Sequence, residues 1–202
     1  MNDKFFDLKK EKQDRIINAA LSVFADYGYR FASTDDIVRE AHISKGLLFH
    51  YFESKLGLYT FLYDYSVRYF FMELDGAVNP KEMNLFTLYR QLELAKLQVL
   101  KIHPYLLAFL DKADYENVSE ARLAIEERQN EYHATLEKIA LQPNMHQFLP
   151  GVEGEKVQTI LRLTLRDLML HHLREHSFNA EMLYEESMNY ISLLQHLGSE
   201  AM

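Results

Sequence analysis

The sequence of 202 residues contains no cysteine and no tryptophan, and only four prolines and seven glycines. Without cysteine, disulfide bonds, thiolate nucleophiles and zinc–thiolate sites are excluded. Scarce proline and glycine leave few breaks in the chain and favour helices. The charged N-terminal segment is not typical of a secretory signal, and no apolar run is long enough for a bilayer span. We therefore expect a soluble cytoplasmic protein without a membrane partner.

The net charge of −8 is unevenly distributed along the chain. Residues 1–55 carry nine basic and nine acidic side chains, whereas residues 56–202 carry thirteen basic and twenty-one acidic ones. An acidic body is repelled by the phosphates of nucleic acid. Any contact with DNA therefore has to come from the first 55 residues. Their net charge of zero is compatible with DNA binding but does not indicate it.

Apolar residues recur at helical spacing along the chain, and no two-residue alternation typical of strands is found. The pattern predicts a first helix from Lys9 to Tyr27, stopped by Gly28, and a second one capped by Ser33. A third helix follows Ser44 after a break of roughly three residues, a spacing typical of a helix-turn-helix. The predicted fold class is all-α, with further helices at about 55–74, 85–102, 104–111, 118–141, 155–175 and 180–197.

Three N-terminal helices can form a small core with one face of the third helix left exposed. The predicted core residues are Ile16, Leu21, Phe24, Ile37, Val38, Ile43, Leu48 and Phe52. On the exposed face, Gly46 has no side chain to hold the helix away from the major groove. Lys45 suits a phosphate or a guanine, while Leu47 and Phe49 suit thymine methyl groups.

The N-terminal segment resembles the TetR/AcrR family of bacterial regulators over about forty-five residues. The resemblance is carried by Gly28-Tyr29, Ser33 to Ile37, Ser44 to Phe52, and Ser54-Lys55. It implies a helix-turn-helix DNA-binding domain at residues 1–55 and a larger helical domain for ligand binding and dimerisation at 56–202. The predicted DNA-binding residues are Ser33, Thr34, Ser44, Lys45, Gly46, Leu47, Phe49, His50, Tyr51 and Lys55.

Three positions depart from the pattern of that family. The family usually has glycine at the position of His42, in a turn that can require positive φ, which histidine tolerates better than most residues. It often has threonine at the position of Leu47 and tyrosine at that of Phe49. Two polar contacts with DNA are therefore missing, and the operator sequence cannot be predicted.

The chain contains thirteen tyrosines and thirteen phenylalanines, many of them in the fourth predicted helix. Helical core packing accounts for such residues, and a ligand pocket is the alternative interpretation. The resemblance implies a pocket somewhere between the fourth and eighth helices, and its apolar surroundings favour an apolar or amphipathic small molecule. The predicted ligand-binding residues are Tyr63, Tyr69, Phe70, Leu92, Phe109 and Tyr132.

The last two predicted helices carry apolar stripes. The stripes comprise Val157, Ile160, Leu161, Leu165, Leu168 and Met169, then Leu183, Met188, Ile191, Leu194 and Leu197. They either pack within one chain or, as the resemblance implies, form a four-helix bundle with a second copy. A two-fold homodimer would place two recognition helices on one face of DNA, so its operator would be palindromic.

No nucleophile–base pair or phosphate-binding glycine loop is found, so we predict no enzyme activity and no cofactor. His172 and His176 have the i, i+4 spacing of helical metal ligands, but no carboxylate motif accompanies them, and we predict no metal site. The predicted function is a dimeric transcriptional repressor that a small molecule releases from a double-stranded DNA operator. The alternative is a helical small-molecule or lipid-binding protein with a vestigial DNA-binding head.

Overall fold

The computed structural model describes residues 3–145, 148–174 and 178–198. Within these ranges it contains a short 3-10 helix at Asp3–Phe5, nine α-helices and no strand, which confirms the predicted all-α class. The helices are α1 (Lys10–Phe31), α2 (Thr34–Glu40), α3 (Lys45–Phe52), α4 (Lys55–Ala77), α5 (Leu85–Ile102), α6 (Leu106–Ala113), α7 (Ser119–Ala140), α8 (Gly154–Arg174) and α9 (Ala180–Gly198). None of the described helices is long and apolar enough to cross a membrane.

The chain forms two compact units, and neither unit is continuous in sequence. The first unit comprises Met1–Phe71 and Val99–Ala134, and the second comprises Met72–Gln98 and Thr135–Met202. Helices α4, α5 and α7 each contribute residues to both units. The first unit thus contains the three N-terminal helices, all of α6, and parts of α4, α5 and α7. The functional boundary at residue 55 stays a prediction.

The core of the first unit contains most of the residues predicted for it. Helix α1 packs against α2 and α6. Ile16, Leu21, Phe24, Ile37, Leu48 and Phe52 are buried, with at most 1% of their surface exposed. Val38 and Ile43, which were also predicted to be core residues, are only half-buried. The seven-residue helix α2 therefore buries a single side chain, Ile37.

An aromatic side chain from the N-terminal 3-10 helix completes this core. Phe5 is fully buried. Its ring centroid lies 5.1 Å from that of Phe52, 5.7 Å from that of Tyr51 and 5.5 Å from that of Phe61. The segment before α1 is consequently part of the packing beneath the recognition helix.

The second unit has its own apolar core, in which α8 packs against α9. The core consists of Leu85, Phe86, Tyr89, Val157, Leu161, Leu165 and Ile191. Four residues of the apolar stripes predicted for dimerisation are therefore used within one chain. Other apolar side chains of α8 and α9 remain exposed, among them Ile160 and Leu197.

Gly28 and Gly76 lie inside observed helices. Gly28 has φ +65° and ψ 176° and interrupts the regular geometry of α1, as predicted, although the helix resumes to Phe31. Helix α4, predicted to end at about residue 74, continues past Gly76 to Ala77. A single helical glycine costs only about 1 kcal/mol relative to alanine, which a long, well-packed helix tolerates.

Candidate nucleic-acid interface

The turn between α2 and α3 is held by backbone and side-chain hydrogen bonds. Ser44 caps α3, because its Oγ accepts a hydrogen bond from the Leu47 N–H at 3.2 Å. His42 has φ 51°, the positive value expected at this position of the turn. The Arg15 Nε–H donates to the carbonyl of Ala41 at 2.9 Å and ties the turn to α1. The orientation of α3 is therefore set by α1 as well as by its own packing.

Helix α3 has a buried face and an exposed face, as predicted. Leu48 and Phe52 are each 1% exposed and anchor the helix. Lys45, Gly46 and His50 are exposed, and Leu47 and Phe49 are half-buried. A Cβ placed on Gly46 would meet no atom within 4 Å, so the start of the helix is open to close approach by a ligand.

The basic side chains of α2 and α3 are paired with acids at the start of α2. The Nζ of Lys45 lies 2.8 and 3.0 Å from the two carboxylate oxygens of Asp35. Arg39 forms a second ion pair with Asp36. These pairs are largely solvent-exposed and therefore weak. A phosphate that binds Lys45 has to compete with the carboxylate of Asp35.

Lys55 begins α4 and contacts the end of α1. Its Nζ donates to the carbonyl of Ala32 at 3.0 Å and lies 4.6 Å from the ring centroid of Tyr29. Burial lowers the pKa of Lys55, and the nearby carboxylates of Glu120 and Glu116 oppose that shift. Lys55 therefore joins α1 to α4 in this structure, and its predicted contact with DNA remains a prediction.

Three further predicted DNA contacts differ in how accessible they are. Ser33 and Thr34 are half-buried, and Ser33 Oγ accepts a hydrogen bond from the Asp35 N–H at 3.2 Å, which caps α2. Tyr51 is only 6% exposed and packs edge-on against Phe5. All three contacts stay predictions.

Sequence reasoning missed a polar link between the end of α1 and the start of α7. Glu116 Oε2 accepts a hydrogen bond from the Tyr29 N–H at 2.9 Å, while its Oε1 accepts from the Val118 N–H at 2.9 Å. The Tyr29 hydroxyl donates to Glu120 at 2.8 Å. Burial, followed by this hydrogen bond, raises the pKa of Tyr29 to about 12. An acid preceding a predicted helix was the only available signal, and it did not identify Tyr29 as the partner.

The residues predicted to bind a ligand lie mostly in the core of the first unit. Tyr63, Phe70, Phe109 and Tyr132 are buried, and Tyr69 is half-buried. The Phe109 ring packs against those of Tyr59 and Tyr63, with centroid distances of 5.4 and 6.2 Å. The half-buried Leu92 belongs to the second unit. Tyr63 lines a cavity within the first unit.

His172 and His176 were considered as possible metal ligands from their spacing; His172 lies among the described residues, and His176 lies outside them. His172 Nε2 lies 2.8 Å from Glu186 Oε2, an interaction between α8 and α9. Among the described residues, no three histidine or acidic side chains are grouped so that they could hold a metal ion.

Two capped helices joined by a tight turn, with the second exposed along one face, define a helix-turn-helix of the DNA-binding class. Residues 16–60 match the profile of bacterial regulatory proteins of the tetR family. The chain is 43% identical over 56 residues to an uncharacterized HTH-type transcriptional regulator, YuxN, of Bacillus subtilis (strain 168). It is 50% identical over 40 residues to the A-factor receptor protein of Streptomyces griseus. These matches cover 28% and 20% of this chain, and only 19% and 14% of the two relatives.

A solved structure extends the similarity to the fold of the whole chain. A TetR family transcriptional regulator from Chloroflexus aurantiacus J-10-FL superposes with a TM-score of 0.65 over 99% of both chains, at 20% identity. The N-terminal segment is thus a helix-turn-helix domain of the tetR type, and the whole chain has the fold of this TetR family regulator. The two curated relatives are named as a regulator and a receptor, not as enzymes.

Proposed function

We propose that the protein is a dimeric transcriptional repressor that binds a palindromic DNA operator and is released by a small molecule. The exposed start of α3 carries this proposal. There the capped helix presents Lys45, Gly46 and His50, while Leu48 and Phe52 fix its orientation from the buried side. A rigid helix with an unobstructed first turn fits the major groove.

In the DNA-free state, the ion pair with Asp35 holds the side chain of Lys45. Because both side chains are exposed, the pair is readily exchanged for a contact with DNA. Lys45 can then bind a phosphate or the O6 and N7 atoms of guanine. The carboxylates of Asp35 and Asp36 disfavour phosphate at the start of α2, so the proposed interface is centred on α3.

Exposed apolar side chains on α8 and α9 support dimerisation with a second copy. On α9, Met182, Tyr190, Leu193 and Leu197 are 60%, 37%, 55% and 65% exposed and fall on one face of the helix by their spacing. On α8, Ile160 and Leu163 are about half exposed. Exposure of such an apolar surface to water is unfavourable, and a two-fold interface would bury the surface of both copies. Of the residues in this proposed interface, only Ile160 and Leu197 belong to the predicted apolar stripes.

Release by a small molecule requires a connection between a ligand site and α3. Helix α4 begins at Lys55, with only two residues between it and the end of α3, and the start of α7 is tied to Tyr29 through Glu116 and Glu120. A ligand that favours one arrangement of α4 and α7 would therefore shift the recognition helices. A difference of about 3 kcal/mol between two states is enough to weaken DNA affinity roughly a hundredfold. The receptor name of the Streptomyces griseus relative is consistent with such a role.

The substitution Lys45→Ala tests the proposed interface. We expect it to weaken binding to a selected operator about tenfold and to lower the slope of log affinity against log salt by about one. The matched control is Lys81→Ala, which removes an exposed lysine of the second unit and should leave affinity unchanged. Fluorescence anisotropy with a labelled duplex measures both. Unchanged affinity in Lys45→Ala would contradict the proposal and favour a small-molecule-binding protein with a vestigial head.

A further inference from the structure

The ion pair between Asp35 and Lys45 joins the first turn of α2 to the first turn of α3 across the helix-turn-helix. The ammonium of Lys45 contacts both carboxylate oxygens of Asp35, at 2.8 and 3.0 Å. Both side chains are open to solvent, with 49% of Lys45 and 69% of Asp35 exposed. The start of the recognition helix therefore presents a hydrogen-bond donor and an acceptor side by side. We call these two side chains the Asp35–Lys45 pair.

The backbone beneath the Asp35 carboxylate is held in place by hydrogen bonds. The Asp35 N–H donates to Ser33 Oγ at 3.2 Å, which fixes Asp35 in the first turn of α2. The turn between α2 and α3 is held to α1 by the hydrogen bond from Arg15 to the carbonyl of Ala41. Because the aspartate side chain is short, its carboxylate stays close to this position. Wherever Lys45 meets DNA, a negative charge therefore lies beside it.

That negative charge restricts which groups of DNA Lys45 can contact. Next to a phosphate, the carboxylate of Asp35 is repelled by the phosphate oxygens. A base-pair edge in the major groove is different, because it carries amino donors as well as oxygen and nitrogen acceptors. Aspartate accepts there from the N4 amino group of cytosine, while lysine donates to O6 and N7 of guanine. The base edge thus satisfies both members of the Asp35–Lys45 pair.

One G·C base pair offers both groups at the spacing of the Asp35–Lys45 pair. Guanine O6 and cytosine N4 are joined by a Watson–Crick hydrogen bond and therefore lie about 2.9 Å apart. The distances between Lys45 Nζ and the carboxylate oxygens of Asp35, 2.8 and 3.0 Å, are close to that separation. The ammonium has a third N–H, and the carboxylate has further lone pairs. The two side chains can consequently bind the base edge while they remain in contact with each other.

Other base pairs fit this donor and acceptor less well. Thymine offers Lys45 one acceptor, O4, where guanine offers two, and its C5 methyl group lies beside that oxygen. A G·C pair in the opposite orientation places the cytosine amino group against the ammonium and guanine O6 against the carboxylate. We propose that the Asp35–Lys45 pair reads one G·C base pair in each half of the operator, with Lys45 on guanine and Asp35 on cytosine. This assignment rests on the proposed function and makes Asp35 a specificity-determining residue.

Base-pair substitutions in an operator selected on the wild-type protein test the assignment. We expect one G·C position in each half-site at which any other base pair weakens wild-type binding about tenfold. Asp35→Ala should lower that preference at least about threefold, at this position alone. Asp35→Asn should shift it toward adenine in place of cytosine, because asparagine pairs with N6 and N7 of adenine. Fluorescence anisotropy with labelled duplexes measures each affinity.

A change in the DNA tests the same contact at the level of one atom. N4-methylcytosine still pairs with guanine, but its methyl group replaces the amino hydrogen that faces the major groove. At the assigned position it should weaken wild-type binding about tenfold and should affect Asp35→Ala by less than about twofold. The measurement on the wild-type protein needs no variant, so it tests the contact even where Asp35→Ala lowers the stability of α2.

Asp36→Ala is the matched control for the loss of negative charge. Asp36 lies in the same turn of α2 as Asp35, but its ion pair is with Arg39 of the same helix. Its substitution should change affinity for all duplexes alike and leave the base preference as it is. If Asp35 merely holds Lys45 in the DNA-free protein, Asp35→Ala will behave in the same way. That result would overturn the proposal.

The outcomes distinguish this assignment from the proposed function. Recovery of no operator by the folded wild-type protein would refute both. An operator whose binding responds to N4-methylcytosine at no G·C position, or responds equally in wild type and Asp35→Ala, would refute the assignment alone. The proposed function would then stand with Lys45 bound elsewhere on the DNA.

Discussion

His103 is a fully buried histidine whose two ring nitrogens both have partners in the first unit. The Asn18 amide nitrogen donates to the Ile102 carbonyl at 2.9 Å, so the Asn18 oxygen faces His103 Nδ1 at 2.7 Å and accepts its proton. Nε2 then accepts from the Tyr65 hydroxyl at 2.7 Å. This arrangement uses a neutral imidazole; on protonation Nε2–H would have to donate to the Tyr65 oxygen, and the Tyr65 hydroxyl would lose its acceptor.

Stability should therefore fall in mild acid. Burial, the largest cause, lowers the pKa of His103 from 6.5 to about 4, so the unfolded chain binds a proton more readily. The contribution of His103 is complete above pH 6.5 and is lost as pH falls toward 4, by about 3 kcal/mol at most. Urea unfolding at pH 7 and pH 5 measures the loss.

The control for this prediction exchanges an exposed histidine. His196→Gln should keep the decrease in stability between pH 7 and pH 5, whereas His103→Gln should reduce it. An identical pH dependence in the two variants would show that other groups cause the decrease.

Predictions for single residues were correct where neighbouring residues in the chain determine the conformation. They failed where contacts with residues distant in sequence determine the environment of a side chain. The positive φ of His42 and the cap at Ser33 follow from the chain near them, and both were predicted. Tyr63 and Phe109 have the same helical apolar pattern, yet Tyr63 lines a cavity and Phe109 packs only in aromatic core contacts. The helical period of apolar residues indicates that a side chain faces inward. It does not indicate whether that side chain packs against other residues or borders a cavity.

The junction between α3 and α4 is tightly packed around Gly57. A Cβ on Gly57 would overlap the carbonyl oxygen of Phe52, the last residue of α3. Glu53, next in the chain, has φ 66°, which leaves the backbone little freedom to adjust. The angle between the recognition helix and α4 therefore depends on this glycine.

Gly57→Ala should consequently destabilise the fold by about 2 kcal/mol or more. The matched substitution Gly76→Ala is on the same helix, where an added Cβ meets nothing within 4 Å, and should stabilise by about 0.5–1 kcal/mol. Urea unfolding midpoints compare the two variants. Similar effects of the two substitutions would contradict the close approach at Gly57.

Most helices could be predicted from sequence, because a 3.6-residue period is repeated over several turns. The prediction for α5 matches its observed bounds, and that for α7 differs by one residue at each end. The predicted start of α8 differs by one residue, and its predicted end at residue 175 lies outside the described residues. The 3-10 helix containing Phe5 was missed, since two aromatic residues in a charged segment show no period. Its buried position depends on Phe52 and Phe61, which are distant in sequence.

The two compact units could not be predicted from the sequence either, because they are defined by contacts between distant segments of the chain. The predicted functional boundary at residue 55 stays a prediction, whereas each compact unit combines two segments of the chain and shares three helices with the other. The apolar stripes of α8 and α9 likewise gave no means of separating their own core from a surface for a second copy. That surface could be identified only after the residues buried within one chain were known.

The state of assembly tests the proposed surface on α9. Leu193→Asp places a charge at a 55% exposed leucine and should convert a dimer to a monomer. Leu123→Asp, at a 62% exposed leucine of α7, is the control and should leave the dimer intact. Light scattering coupled to size exclusion gives the masses. A wild-type monomer, or a dimer in Leu193→Asp, would contradict this assignment.

The central claim, that a pair of exposed α3 helices reads DNA, is tested most directly by selecting random duplex DNA on the purified protein. The account predicts recovery of a palindromic sequence, bound with an affinity that falls steeply as salt rises. Recovery of no sequence above background by a folded dimer would contradict it.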